Sequence, residues 1–246
     1  MDELCLKNEP PVAVLPLGTG NDLSRSLGWG PGYEGAKFRK VVHKLYQGVP
    51  VMLDRWVVGL QGQSARVMNN YFSIGSDASI TLAFHEAREK NPQNFTSRDA
   101  NKWTYLKCAM GELFSATAGL HQQLEVFADG RELRLPDDAE GIIALNVWSY
   151  GGGADLWGDP PEFRPQALGD RLLEVCTVTG VSHLGAIQAG TRTGTPLCQC
   201  RRLEIHVKAD VVMQVDGEPW RQRPTVVKVD FLRQSKMLQY NPARRS

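Results

Sequence analysis

The chain has 246 residues, 28 basic and 27 acidic side chains, a formal net charge of +1 and 42% hydrophobic residues. That is enough for one large domain or two small ones with a core of their own, and it excludes a nucleic-acid binder working through a strong positive field. No apolar run reaches the roughly 18 residues of a transmembrane helix, and Met1-Asp2-Glu3-Leu4 lacks the basic-then-apolar order of an export signal, so a soluble, cytoplasmic chain is expected.

Taken in order, Val12-Ala13-Val14-Leu15 predicts a short buried strand, and Pro16-Leu17-Gly18-Thr19-Gly20-Asn21-Asp22 a glycine turn. Leu23-Ser24-Arg25-Ser26-Leu27 follows as one helical turn capped by Asn21 or Asp22. Strand, turn and helix start together aim backbone N–H groups at an anion; a plain tight turn is the alternative. Residues 28–35 read as loop, and 36–47 as a helix with Phe38, Val41, Val42 and Leu45 on one face. Strands are expected at 51–60 and 67–74. Ser76-Asp77 opens a helix that Asn91-Pro92 stops. Another helix carries Trp103, Leu106, Met110, Leu113, Phe114 and Thr117, with Ser97 or Asp99 as its cap.

From about residue 122 the pattern turns to β. Segments 124–128 and 132–135 flank Asp129-Gly130, a two-residue hairpin signal. More strands are expected at 141–148, 171–179, 203–208, 211–216 and 225–231, with a short helix near 182–192. A single strand-turn-helix unit cannot make a parallel sheet by itself, so the chain is expected to begin inside a domain.

The glycine turn lacks the Lys-Ser/Thr of a P-loop and the third glycine of the dinucleotide fingerprint. Gly151-Gly152-Gly153 reads as a flexible β-connection. Asp54 lies in the apolar run Val51-Met52-Leu53-Asp54-Arg55-Trp56, where a charge needs a partner or a metal-bound water. Asp216 and Glu218 flank Gly217: either a hairpin turn or an acid/base pair at a strand end. The histidines at 43, 85, 121, 183 and 206 form no cluster. Cys198-Gln199-Cys200 is too tightly spaced for a zinc knuckle, and all five cysteines are expected to be reduced and buried.

The segment Pro11-Val12-Ala13-Val14-Leu15-Pro16-Leu17-Gly18-Thr19-Gly20-Asn21-Asp22-Leu23 resembles the diacylglycerol kinases of eukaryotes. The resemblance continues in family order. It runs through Leu53-Asp54-Arg55-Trp56, Asn69-Asn70-Tyr71-Phe72-Ser73-Ile74-Gly75 with Asp77, and Phe84-His85 with Arg88-Glu89. Asn91-Pro92, Asn101-Lys102, Asn146 with Ser149-Tyr150, and Gly152-Gly153 follow, then Leu156-Trp157-Gly158 and Gln214-Val215-Asp216-Gly217-Glu218-Pro219.

The resemblance implies an α/β + β lipid kinase fold. Residues 1–55 would be the remnant of an α/β ATP-binding catalytic domain, 56–240 a β-rich accessory domain, and 241–246 a tail. It implies transfer of the ATP γ-phosphoryl group to diacylglycerol with Mg²⁺, giving phosphatidic acid, by a cytoplasmic protein peripheral to membranes. Gly18, Thr19, Gly20, Asn21 and Asp22 would lie on the nucleotide side, Asp22 and Asp54 in the Mg²⁺ network, and Asp216 would be the general base with Glu218 beside it. The family's Gly-Gly-Asp-Gly-Thr ATP loop has no counterpart in the chain, so activity of these residues alone is in question. The alternative is a non-catalytic lipid-surface or interaction fragment. Without neighbouring strands, segment 12–15 is also expected to be an aggregation-prone edge.

Overall fold

The structure, a computed structural model, describes residues 9–33, 35, 38–94 and 119–241. The helix expected around Trp103–Thr117, its caps Ser97 and Asp99, Asn101-Lys102, Cys5 and Cys108 lie outside the described residues.

Two six-stranded antiparallel sheets stack face to face. The first is ordered β2-β1-β14-β11-β4-β5: β1 is Val49–Leu60, β2 Arg66–Met68, β4 Leu124–Ala128, β5 Arg131–Leu133, β11 Arg202–Val207 and β14 Thr225–Gln239. The second is ordered β10-β9-β6-β3-β12-β13: β3 is Tyr71–Gly75, β6 Gly141–Leu145, β9 Leu173–Val178, β10 Thr195–Cys200, β12 Val211–Val215 and β13 Glu218–Gln222. A small ribbon pairs β7 (Ser149–Tyr150) with β8 (Ala154–Asp155).

Alternation explains the layering. Trp56, Val58 and Leu60 of β1, with Leu203, Ile205, Val227 and Val229, meet Phe72, Ile74, Ala144, Val175 and Met213 of the second sheet in one apolar core. The opposite face of the second sheet presents Tyr71, Ile143, Leu145, Cys176 and Val178 to helices α3 (Ser76–Lys90) and α5 (Val181–Gln188), through Ile80, Leu184 and Ile187. Covered on both sides, β3, β6 and β9 are buried at every position. That is why none of them alternates apolar with exposed polar positions: β6 is apolar throughout, and the polar residues of the other two, Ser73, Glu174 and Thr177, are buried as well. Three shorter helices, α1 (Asp22–Ser26), α2 (Phe38–Tyr46) and α4 (Leu120–Gln123), complete the described elements with a 3₁₀ turn at Pro92–Asn94.

Several expectations change. Segment 12–15 forms no strand: Val12 alone makes a parallel bridge to Met237, donating N–H to the Lys236 carbonyl and accepting from the Leu238 N–H. Segment 67–74 is two strands, β2 and β3, parted by Asn69 and Asn70. β14 continues to Gln239 because its polar second half pairs with the first half of β1. Strands β10 and β13 were not expected, and each contains a proline. Cys176 and Cys200 are buried as expected, whereas Cys198 is only half-buried. Gly75 turns β3 straight into α3 at φ 101°, where an added Cβ would stand 2.3 Å from the Glu140 carbonyl oxygen, a place only glycine can fill.

Candidate active site

The glycine turn is fastened by its own asparagine. Asn21 Oδ1 accepts from the Gly18 N–H at 2.8 Å, and its Nδ2 donates to the carbonyls of Gly18 (2.7 Å) and Pro31 (2.8 Å). Asn21 takes a left-handed conformation, φ 56°, and makes no side-chain cap. Neither expected cap forms: Asn21 is spent on the turn, and Asp22 is the first residue of α1. Arg25 Nε donates to the Gly20 carbonyl at 2.9 Å. Gly20 itself lies so close to the β7–β8 ribbon that a Cβ there would meet the Gly152 nitrogen at 3.6 Å. Gly18 is exposed, and Thr19 and Gly20 are half-buried.

Asp22 points inward and is 6% exposed. Its Oδ1 accepts from Ser149 Oγ (2.7 Å) and the Gly152 N–H (2.9 Å), and its Oδ2 from the Tyr71 hydroxyl (3.1 Å). Burial raises its pKa above the ordinary carboxylate value, against the pull of these donors and of the Arg25 charge. A cleft of about 760 Å³ opens beside this turn, with Arg25, Gly152, Gly153 and Arg192 among its walls.

Asp216 and Gly217 make the β12–β13 hairpin turn, with φ 51° and 88°, so the turn reading of Asp216-Gly217 is correct as local structure. The Asp216 carboxylate does more than turn the chain. Oδ2 accepts from the N–H (2.8 Å) and Nδ2 (3.2 Å) of Asn69, and Oδ1 from the N–H groups of Asn70 (2.8 Å) and Tyr71 (3.1 Å). Its own N–H donates to the Tyr71 carbonyl at 3.0 Å. The carboxylate thus closes the β2–β3 turn from the opposite end of the sequence. Burial raises its pKa, opposed by the three backbone amides and the Asn69 side chain. Glu218 is exposed as the first residue of β13.

Tyr71 joins the two motifs. Its hydroxyl holds Asp22 while its backbone N–H holds Asp216. Next to it, with ring centroids 5.2 Å apart, is Tyr150, whose hydroxyl donates to Asp77 Oδ1. Asp77 Oδ2 also accepts from Ser73 Oγ (2.5 Å) and Gln214 Nε2 (3.0 Å), and Gln214 Oε1 accepts from the Gly217 N–H (2.8 Å). A buried polar network therefore runs from the glycine turn to the Asp216 turn.

Asp54 is placed differently. Facing inward on β1, it is fully buried, and its carboxylate accepts from Gln234 Nε2 (2.8 Å) and the Arg171 N–H (2.5 Å). Burial raises its pKa above the ordinary carboxylate value, with the two donors opposing. Only its carbonyl reaches the site, through Asn146 Nδ2, which donates to the carbonyls of Asp54 and Asn69 at 2.7 Å each while Asn146 Oδ1 accepts from Trp56 Nε1. Among the described residues no group of three His, Cys, Asp or Glu side chains is placed to hold a cation.

Sequence reasoning gave no role to Tyr71, Asp77, Asn146, Ser149, Tyr150 or Gln214. All of them lie inside the motifs that carried the resemblance, which was the available signal. Glu174, buried in β9 between Gln166 and Gln199, had no signal at all.

Comparison with known proteins identifies the family. The diacylglycerol kinase accessory domain model matches residues 67–219, and the diacylglycerol kinase catalytic domain model matches residues 1–53. Rat diacylglycerol kinase theta is 39% identical, over 93% of this chain and 27% of its own. Diacylglycerol kinase 1 of Arabidopsis thaliana is 37% identical, over 93% and 34%. Mouse diacylglycerol kinase iota is 38% identical, over 100% and 25%. The chain thus spans between a quarter and about a third of the length of these curated relatives.

Two solved structures from Bacillus anthracis share the fold. One, described as a diacylglycerol kinase, has a TM-score of 0.51 at 17% identity and covers 97% of this chain and 70% of its own. The other has a TM-score of 0.60 at 18% identity, with 97% and 72% covered. With a family model spanning most of the described β-rich core, and with the glycine turn and the Asp216 turn joined through one tyrosine, the chain belongs to the diacylglycerol kinase family.

Proposed function

We propose that residues 1–246 carry the acceptor side, and part of the nucleotide side, of an ATP-dependent diacylglycerol kinase that works at a membrane surface. Residues 1–55 would belong to the catalytic domain and 56–240 to the accessory domain. The observation that supports this reading is Tyr71, which ties the turn next to the phosphate-side glycines to the turn that presents Asp216.

In the reaction, the free hydroxyl oxygen of diacylglycerol attacks the γ-phosphorus, the bond to the β-phosphate oxygen breaks and ADP leaves. The hydroxyl proton passes to Asp216. Both oxygens of that carboxylate already accept two N–H groups, which fills its lone pairs. The longest of the four, the 3.2 Å Asn69 side-chain amide, is the one that yields to the substrate hydroxyl. Glu218, exposed on the same turn, completes the acid/base pair.

The donor set fits a cation that arrives with the nucleotide better than one caged by the protein, because Mg²⁺ is commonly held by one or two carboxylates plus substrate phosphates. When bound, the ion neutralises charge on those phosphates. Asp22 would be the carboxylate beside the glycine turn, while Asp54, its carboxylate turned to Gln234 and Arg171, would act only by holding the Asn146 amide through its carbonyl. Gly18, Thr19 and Gly20 border the phosphates, and Asn21 keeps that turn in shape.

The test is γ-phosphate transfer from ATP to diacylglycerol in mixed micelles with Mg²⁺. It compares this chain, a longer chain carrying a Gly-Gly-Asp-Gly-Thr loop upstream, and Asp216→Asn in each. Turnover that falls about 10²-fold or more in the Asp216 variant supports the base assignment. A variant that keeps wild-type turnover overturns it. Turnover confined to the longer chain would make residues 1–246 the acceptor-side portion alone.

A further inference from the structure

Strand β1 passes the Asp216 turn at Arg55. The pairing of Trp56 with Met68, carried one step on, sets Arg55 beside Asn69 in the β2–β3 turn. On its other side, β1 slips register against β14 between Arg55, opposite Arg233, and Trp56, opposite Phe231. Such irregularities raise the local twist and re-aim side chains. Arg55 Nε donates to Asn69 Oδ1 at 3.2 Å, and Asn69 Nδ2 donates to Asp216 Oδ2 at 3.2 Å. The backbones that carry Arg55 and Asn69 are held together by buried Asn146, whose Nδ2 donates to the carbonyls of Asp54 and Asn69. Trp56 Nε1 in turn holds Asn146 through its Oδ1. The line from Arg55 through Asn69 to Asp216 therefore stands on a fixed frame.

We propose that Arg55 is a positioning residue of the transfer reaction: it fixes the Asn69 amide with its NH₂ toward Asp216, so that the carboxylate meets the acceptor hydroxyl as a base. The inference rests on the assignment of Asp216 as that base. The chemistry of the three groups allows one arrangement. A guanidinium N–H only donates, and an ionised carboxylate only accepts. The amide between them must turn its oxygen to Arg55 and its nitrogen to Asp216. Without the Arg55 bond the amide can rotate by half a turn. Its oxygen would then face the carboxylate, a contact that favours the protonated acid, and a protonated Asp216 cannot take the hydroxyl proton.

The Asn69 side chain is also the contact that yields to the substrate hydroxyl. Held at its oxygen, the amide moves aside without turning over and can return as a donor when the product leaves. The other groups that face Asp216 do not depend on Arg55. From the β2–β3 turn these are the backbone N–H groups of Asn69, Asn70 and Tyr71. On its own hairpin, Gln214 reaches the Gly217 N–H and Glu218 is exposed. The Arg55 charge acting directly on Asp216 would be felt with or without the amide, which separates that effect from positioning.

The test reads the Asp216 carboxyl itself, by carbon-13 NMR of side-chain-labelled aspartate in the folded chain. It is titrated in wild type, Arg55→Met, Asn69→Ala and the double variant. Methionine keeps most of the side-chain length and removes every donor. Each single variant should raise the Asp216 midpoint by about half a unit to one unit, the size of one hydrogen bond. The double variant should move no further than either. An unmoved midpoint in folded Arg55→Met overturns the proposal, and so do shifts that add in the double variant. In a longer chain carrying the Gly-Gly-Asp-Gly-Thr loop, Arg55→Met should move the acid limb of kcat/KM to higher pH by the same amount. A fall that is equal at every pH marks a structural role and overturns positioning. If Arg55→Met does not fold, wild type decides: the Arg55 Nε–H signal should resist exchange with solvent and shift as Asp216 titrates, and a freely exchanging, unmoved signal overturns the proposal. Wild-type turnover in Asp216→Asn would remove the base assignment even where the midpoints move, whereas unmoved midpoints remove only the part given to Arg55.

Discussion

Replacing Asp216 by Asn separates two roles that one carboxylate fills. Asn is the appropriate substitution because it tolerates the left-handed backbone that Asp216 adopts at φ 51°, so turn strain does not enter the result. The carboxylate accepts four N–H groups, two at each oxygen. An amide offers one oxygen and turns an NH₂ toward the other two donors, leaving them unpaired in a buried turn. At about 1–3 kcal/mol for each buried donor left unsatisfied, the two together lose about 4 kcal/mol. For a chain of this size each kcal/mol moves Tm by about 2–4 °C, so Asp216→Asn should melt about 8–16 °C lower, with a matching fall in the urea midpoint. Glu218→Gln, on the exposed side of the same turn, should stay within about 0.5 kcal/mol of wild type. If Asp216→Asn unfolds at the wild-type midpoint while phosphate transfer is lost, the carboxylate is a base and nothing more, and the argument for its holding the β2–β3 turn fails.

Glu174 sets a pH dependence. Burial raises its pKa from 4.5 to about 7, against the pull of Gln199 and Gln166. The folded chain therefore binds a proton that the unfolded chain releases, and stability declines as pH rises from about 4.5 to about 7, by about 3 kcal/mol in all; in Glu174→Gln that slope should vanish from urea midpoints measured between pH 5 and pH 8, and an unchanged slope would refute the assignment. Tyr71→Phe and Ser149→Ala each withdraw one donor from the buried Asp22 carboxylate and should each cost about 1.5–3 kcal/mol. Their double variant should depart from additivity by at least about 0.5 kcal/mol, and single variants with wild-type urea midpoints would sink the claim. Gly75→Ala combines a positive φ with a Cβ 2.3 Å from the Glu140 carbonyl and should lose more than about 3 kcal/mol; a soluble variant with wild-type near-ultraviolet circular dichroism would refute it.

Local patterns predicted what local forces decide. The Asp129-Gly130 hairpin, the helix opened by Ser76-Asp77 and the alternation of Val227 and Val229 are written in neighbouring residues, and they formed close to where they were expected. The break at Asn69-Asn70 was not legible, because the carboxylate that stabilises it lies 147 residues away. Pro196 and Pro219 hid β10 and β13, since proline signals an edge or an end, and both strands are indeed edges. The second half of β14, with Arg233, Gln234, Ser235 and Lys236, lay beyond the strand expected at 225–231; long-range pairing to β1 makes it strand. At the site, the residue types were visible in the motifs, while the joining of Asp22 to Asp216 through Tyr71 depended on bringing distant segments together.

The place of β14 has a consequence for how the chain is made. This strand is the last of the described elements, yet it sits inside the first sheet, with β1 on one side and β11 on the other. During synthesis, β1 therefore leaves the ribosome without its main neighbour. At about 5–20 residues per second, it waits on the order of ten seconds or longer. Until then Trp56, Val58 and Leu60 have no finished sheet to belong to, and Val12, which bridges to Met237, has no anchor. Loss of the dozen or so residues up to Gln239 would leave Val12 and the first half of β1 without partners, so these two distant segments must fold as one event.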